Sequence, residues 1–164
     1  VQKRKRGRMK VAVTGHRLER IKGKEQEIRK WLLEQIQILV KNNNEVILID
    51  GMAEGVDQIA AATALNNGAQ LSCYFPYRKK LYGIHAALAE KAAEVRFLYD
   101  EYWDGCYIER DYRMVDDCDV LIVVWDGKPW GGTYYTYQYA LDRNRKIIMF
   151  PWRNKVEVDW DALE

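Results

Sequence analysis

The run Val120-Leu121-Ile122-Val123-Val124-Trp125 is apolar at every position. A strand with one wet face would carry polar residues at every second place. This one needs cover on both faces, the condition of a central strand in a parallel sheet. Similar runs recur. Val11-Ala12-Val13 is entered from Met9 and Lys10 and stopped at Thr14-Gly15, and residues 46–49 meet Asp50-Gly51. Residues 71–75 are closed by Pro76, and residues 95–99 and 147–150 complete about six strands.

Helical patterns separate the runs. Ile28, Leu32, Ile36, Leu39 and Val40 share one face, ended by Asn42-Asn43-Asn44, and Val56, Ile59, Ala60, Thr63 and Ala64 share another, with Gly68 as the stop. Residues 86–93, the Ile108, Tyr112 and Val115 face, and residues 133–143 predict three more helices. Strands alternating with helical crossovers give an α/β fold, a Rossmann-like, doubly wound, mostly parallel sheet flanked by helices in a single domain.

At 164 residues the chain suits one such domain. Three cysteines without a C-x-x-C pair argue for a reduced, cytoplasmic protein, and the apolar runs are too short for a membrane span. Charge is uneven. Residues 1–10 hold six cations and no acid; subtracting that +6 from the formal net +2 leaves the rest of the chain at −4. The reading is therefore a basic, flexible leader at 1–9, a domain at 10–152 and a tail at 153–164. Nucleic acid is expected only through the basic arm, because an acidic body makes a poor DNA-binding surface.

Ligands of such sheets bind beyond the carboxyl ends of the strands, where the strand order reverses. At those ends stand Thr14-Gly15-His16-Arg17, then Gly51-Met52-Ala53-Glu54-Gly55-Val56-Asp57, then Asp126-Gly127-Lys128-Pro129-Trp130-Gly131-Gly132-Thr133. Gly51, Gly55, Gly131 and Gly132 precede helix starts, where small residues and free amides suit a phosphate. Arg17 is the preferred phosphate or base contact. His16 is placed to bond a ribose or base, Glu54 and Asp57 to accept sugar hydroxyls, and Trp130 and Tyr134 to stack on a base. Tyr135 and Tyr139 are expected to pack on the sheet or in a homodimer. Arg110 and Arg113 share a helical face from which either can reach the site. Gly15, Met52, Ala53 and Thr133 complete the expected ligand contacts, and Glu54 and Asp126 are the candidate acid or nucleophile. Neither G-x-G-x-x-G nor G-K-[ST] is present, so a conventional NAD site and a P-loop are excluded. No metal site and no cofactor are expected.

The three rim segments, with Arg110-Asp111-Tyr112-Arg113-Met114-Val115-Asp116 before the last apolar run, resemble the successive motifs of the SLOG superfamily. That group includes the lonely-guy phosphoribohydrolases, the DprA/SMF proteins and the YpsA-like proteins, and the YpsA-like pattern is the most similar. The resemblance spans about residues 10–151. It implies a Rossmann-like fold binding nucleotides or nucleotide-derived ligands of ADP-ribose type, as a sensor or sequestering module. An alternative is an N-glycosidic enzyme, a phosphoribohydrolase or deoxyribosyltransferase relative. Against it, Thr136 stands where the phosphoribohydrolases carry a glutamate, and a threonine cannot stabilise an oxocarbenium-like charge. Asp111 likewise replaces the family's usual asparagine. A third expectation is DprA-like single-stranded DNA binding through residues 3–10.

Overall fold

The computed structural model describes residues 6–153 and 161–163. Strands and helices alternate along the chain: β1 (Arg6–Gly15), α1 (Glu25–Asn42), β2 (Asn43–Asp50), α2 (Val56–Asn66), β3 (Gln70–Tyr77), α3 (Gly83–Lys91), β4 (Glu94–Tyr99), α4 (Cys106–Asp117), β5 (Val120–Val124), α5 (Gly132–Asp142) and β6 (Lys146–Met149). The six strands form one sheet in the order β4-β3-β2-β1-β5-β6, every neighbouring pair parallel. The predicted doubly wound α/β fold is the observed one. No helix among the described residues is long and apolar enough to cross a membrane.

Period-two alternation divides the sheet between two cores. Val11, Val13, Leu48, Ile122 and Val124 face Ile28, Leu32 and Ile36 of α1 and Val56, Ile59 and Ala60 of α2. Ala12, Ile49, Leu121 and Val123 face Met114 and Val115 of α4 and Ala140 of α5. Both sides of β5 are thus covered, which is why its run carries no polar residue.

Three boundaries differ from the sequence reading, each for a pairing reason. β1 begins inside the expected leader, because Arg6 and Arg8 register with Asn43 and Glu45 of β2, and the Arg8 guanidinium pairs with Glu45 at 3.1 Å. Residues 1–5 of that leader lie outside the described residues. The asparagine cluster ends α1 at Asn42, but Asn43 and Asn44 open β2 without a loop. Pro76 does not close its strand: β3 pairs with β4 on either side of it, at Phe75↔Phe97 and Tyr77↔Tyr99. Proline removes one donor there, yet its φ remains compatible with extended chain.

After β1 the chain runs outward through β2, β3 and β4, then returns to lay β5 on the other side of β1. Gly15 and Val124 register with each other at the carboxyl ends of these two strands. The reversal point lies between them, so the loops after β1 and β5 must meet there.

Candidate functional site

His16 fastens those two loops together. Its side chain is buried and its Nε2 accepts the Asp126 amide hydrogen at 2.9 Å. Trp152 stands edge-on to the imidazole. Burial and the nearby Arg20 charge lower its pKa, so the ring is neutral, as an accepting Nε2 requires. Its Nε2 is thus engaged with the scaffold, and His16 also lines the cleft described below. Asp126 is engaged likewise. Arg20 grips its carboxylate through Nε and Nη2 at 2.8–3.2 Å, and the Lys128 amide donates to Oδ1. Burial alone would raise this carboxyl, but the Lys128 amide and the Arg20 guanidinium outweigh it and hold it low. An acid kept ionised and bidentately paired is poorly suited to donate a proton.

Several glycines predicted to admit a ligand instead admit the protein. A Cβ on Gly15 would fall 2.4–2.7 Å from three side-chain atoms of Val56. One on Gly55, whose φ is +108°, would fall 2.5 Å from the His16 carbonyl oxygen. Gly51 makes room for the Arg110 guanidinium and Gly131 for that of Arg20. Gly132 differs. Only Asp111 Oδ2, at 3.7 Å, lies near its missing Cβ. Met52 is also a scaffold residue: its side chain is buried in the core, while its carbonyl oxygen receives Nε2 of His85 at 2.7 Å.

Arg110, placed by the sequence reading on a face that could reach the site, does reach it; Arg113 is exposed. The Arg110 side chain is almost wholly buried at the base of the rim. Nε donates to Asp111 at 2.8 Å, and Nη1 donates to the carbonyl oxygens of Gly51 and Tyr74. Nη2 has no partner among the described residues. Burial disfavours the charge, but Asp111 and Asp57 outweigh burial and raise its pKa. Two buried carboxyls, Asp50 and Asp57, and the half-buried Asp111 surround it. Burial pushes Asp57 up to about 7 against the pull of Arg110, and also raises Asp111 and, further, Asp50. Asp50 caps the turn through the Met52 amide at 2.7 Å, while its Oδ2 is buried without a partner. Among the described residues no group of three His, Cys, Asp or Glu side chains is placed to hold a metal ion.

Above this cluster a cleft of about 400 Å³ opens between the β1 loop and the start of α5. Its lining includes Arg17, Asp57, Arg110 and Asp111 with Trp130, Gly131, Gly132 and Thr133, and Asp111 Oδ2 lies beside Gly132. Arg17 is exposed and makes no hydrogen bond or ion pair among the described residues. Helix α5 begins with no side-chain cap and no acid in its first turn. The amides of Gly132, Thr133 and Tyr134 precede its first internal bond, from the Tyr135 amide to the Gly131 carbonyl. Thr136 returns its hydroxyl to the Gly132 carbonyl at 2.7 Å. The structure thus brings Arg17, Asp57, Arg110 and residues 131–133 together, and leaves Glu54 outside this cleft.

The aromatic residues divide. Trp130 is half exposed, but the Arg20 guanidinium already covers one face, 3.6 Å from the ring centroid. Tyr134 packs against Trp125. Tyr139 stacks on Tyr112 within the chain, while Tyr135 stays exposed. Lys79, Tyr107 and Asp111 were missed as site residues. Lys79 was findable, since it follows the carboxyl end of β3 and the same strand-end rule applies to it.

No protein-family model and no curated protein matches the sequence. Solved structures do share its fold. DNA processing protein A (DprA) of Streptococcus pneumoniae superposes with a TM-score of 0.69 at 20% identity, covering 96% of this chain and 56% of that one. The chain thus spans little more than half the length of that protein. DprA of Helicobacter pylori, described for its single-stranded DNA binding mode, gives 0.65 at 22% identity over 94% of this chain and 71% of that one. TM1055, a structural-genomics target, gives 0.60 at 17% identity over 85% and 72%. The chain shares the fold of these three solved proteins.

Proposed function

We propose that this chain binds a nucleotide-type ligand, a nucleoside phosphate or a molecule derived from one, in the cleft between the β1 loop and α5. The carrying observation is the uncapped start of α5 opposite the unpaired Arg17. Three free amides at the positive end of a helix, with a guanidinium across a gap, form a phosphate cradle. Asp57 lines the same cleft and suits a hydroxyl. The two acids that the sequence offers for turnover are not placed for it, which supports binding. Asp126 is locked by Arg20, Glu54 lies outside the cleft, and Thr136 occupies the position where phosphoribohydrolases use a glutamate.

Calorimetric titration with AMP and UMP tests this reading. Arg17→Ala and Gly132→Asp should each weaken binding about tenfold or more, roughly 1.4 kcal/mol, without lowering the unfolding temperature. Unchanged affinity in both variants removes the site. Release of free base during the titration would instead favour the N-glycosidic alternative.

Single-stranded DNA binding is a second reading, favoured by the likeness to the two DprA structures. It would draw on the basic segment at residues 3–10, where Arg8 is already paired with Glu45. A steep salt dependence of DNA affinity that disappears when residues 3–10 are deleted is its expected mark.

A further inference from the structure

A second cleft, of about 470 Å³, lies on the β2 and β3 side of the rim, and Arg110 lines both it and the first. Its size is that of a small-molecule site. The nucleotide reading makes no use of it. Leu18, Tyr82, Ile84 and Tyr107 stand around it, between 39% and 70% exposed. Large apolar side chains gathered at one opening lose their water only when something apolar covers them. Two of the four are tyrosines, whose ring faces suit another aromatic ring.

The charged groups of this cleft are few and uncommitted. Glu54 and Lys79 line it, and neither has an ion-pair partner among the described residues. The Lys79 ammonium instead lies over the rings of Phe75 and Tyr77, 5.8 and 5.6 Å from their centroids. Arg110, only 5% exposed, gives Nε to Asp111 and Nη1 to two carbonyl oxygens, which leaves Nη2 without a partner. A buried guanidinium with one nitrogen uncommitted calls for an anionic acceptor.

The neighbouring acids select among anions. Glu54 shares the cleft and Asp57 follows in the first turn of α2, so a phosphate dianion meets repulsion there. A carboxylate carries one charge and two oxygens, enough for Arg110 Nη2 and the Lys79 ammonium. Glu54, which only accepts, then calls for a cationic donor on the same molecule. We infer that the second cleft binds a free aromatic α-amino acid, its carboxylate on Arg110 and Lys79, its ammonium on Glu54 and its ring against Tyr82 and Tyr107. The inference goes beyond the nucleotide reading and needs neither Arg17 nor α5.

The test is calorimetric titration of the full chain with L-tryptophan and L-phenylalanine. Each is compared with its analogue lacking the ammonium (indole-3-propionate, 3-phenylpropionate) and its analogue lacking the carboxylate (tryptamine, phenethylamine). At least one amino acid should bind about tenfold tighter than either of its analogues. Glu54→Gln should lower that amino acid to the level of the ammonium-free analogue and leave the analogue itself unchanged. Lys79→Ala should weaken both carboxylates about tenfold and leave the amine unchanged. The unchanged analogue in each variant shows that the cleft is still folded. Gly132→Asp, at a residue that lines the first cleft and not the second, should leave amino-acid affinity within about twofold. The inference is overturned if neither amino acid binds better than its analogues, if either Glu54→Gln or Lys79→Ala is without effect, or if Gly132→Asp abolishes binding. None of these outcomes depends on whether AMP binds, so the two readings stand or fall separately.

Discussion

The amino ends of α2 and α5 look alike in sequence, each following a glycine loop at the carboxyl end of a strand, yet they meet opposite fates. At α2 the first amide is used by the protein: Val56 N donates to the His16 carbonyl at 3.2 Å, and in the loop before it Ala53 N donates to Asp57 Oδ2 at 3.2 Å. Asp57 places an acid in the first turn as well. Neither helix has a side-chain cap, but at α5 no acid sits in the first turn. One glycine loop is a joint between two parts of the scaffold, and the other is an open socket. What separates them is the partner each glycine faces: His16 and Arg17 backbone for Gly55, and open cleft beside Asp111 for Gly132.

The sharpest way to break this contrast is to give each loop a side chain. Gly55→Ala forces a left-handed φ of +108° on a residue with a Cβ, and drives that Cβ to 2.5 Å from a carbonyl oxygen. The cost is expected to be about 3 kcal/mol or more, a fall in Tm on the order of 10 °C in thermal unfolding. Gly132→Ala meets no neighbour as close and should change Tm by no more than about 1 °C. Equal losses in both would erase the distinction between joint and socket. Next in size is Asp126→Asn. It leaves the partly buried Arg20 guanidinium with a weaker partner and should cost about 1 kcal/mol of stability. A catalytic role for Asp126 would show the reverse pattern, lost turnover with an unchanged Tm.

The contrast also marks what could be read from the residues. Unbroken apolar runs and the lengths between them were enough for the sheet, its parallel sense and the position of the rim, because burial on two faces leaves a direct trace in composition. Arg17 and residues 131–133 were legible as residues of the rim for a related reason: the strand-end rule depends on topology alone. The roles of His16, Asp126 and Gly55 were not. A buried histidine accepting an amide hydrogen and a surface histidine facing a ligand are the same letter after the same strand. The distinguishing partner, Asp126 for His16, is 110 residues away along the chain. Arg110 was ambiguous because an arginine on a helix is ordinarily solvated. Its burial follows from the space left by Gly51, 59 residues distant.

The finest test of the contrast concerns the acid that α2 holds and α5 lacks. Burial pushes the Asp57 carboxyl up to about 7, Arg110 pulls it down, and the Asp111 charge pushes it up again. An unfolded aspartate titrates near 3.9, so between about pH 4 and 7 the folded state holds a proton that the unfolded state has lost. The stabilising contribution is therefore complete below about pH 4 and disappears as pH rises through 7. Asp57→Asn keeps a carbonyl oxygen for the Ala53 amide but cannot ionise. If it matches the parent near pH 5, at pH 8 it should be about 2–3 kcal/mol more stable, several degrees in Tm. Because Asp57 also lines the open cleft, its charge opposes a phosphate, and parent affinity for AMP should rise as pH falls from 8 to 6. The variant should flatten that rise. A Tm difference that stays constant across pH would mean that Asp57 is ionised throughout and that the start of α2, like that of α5, tolerates full negative charge.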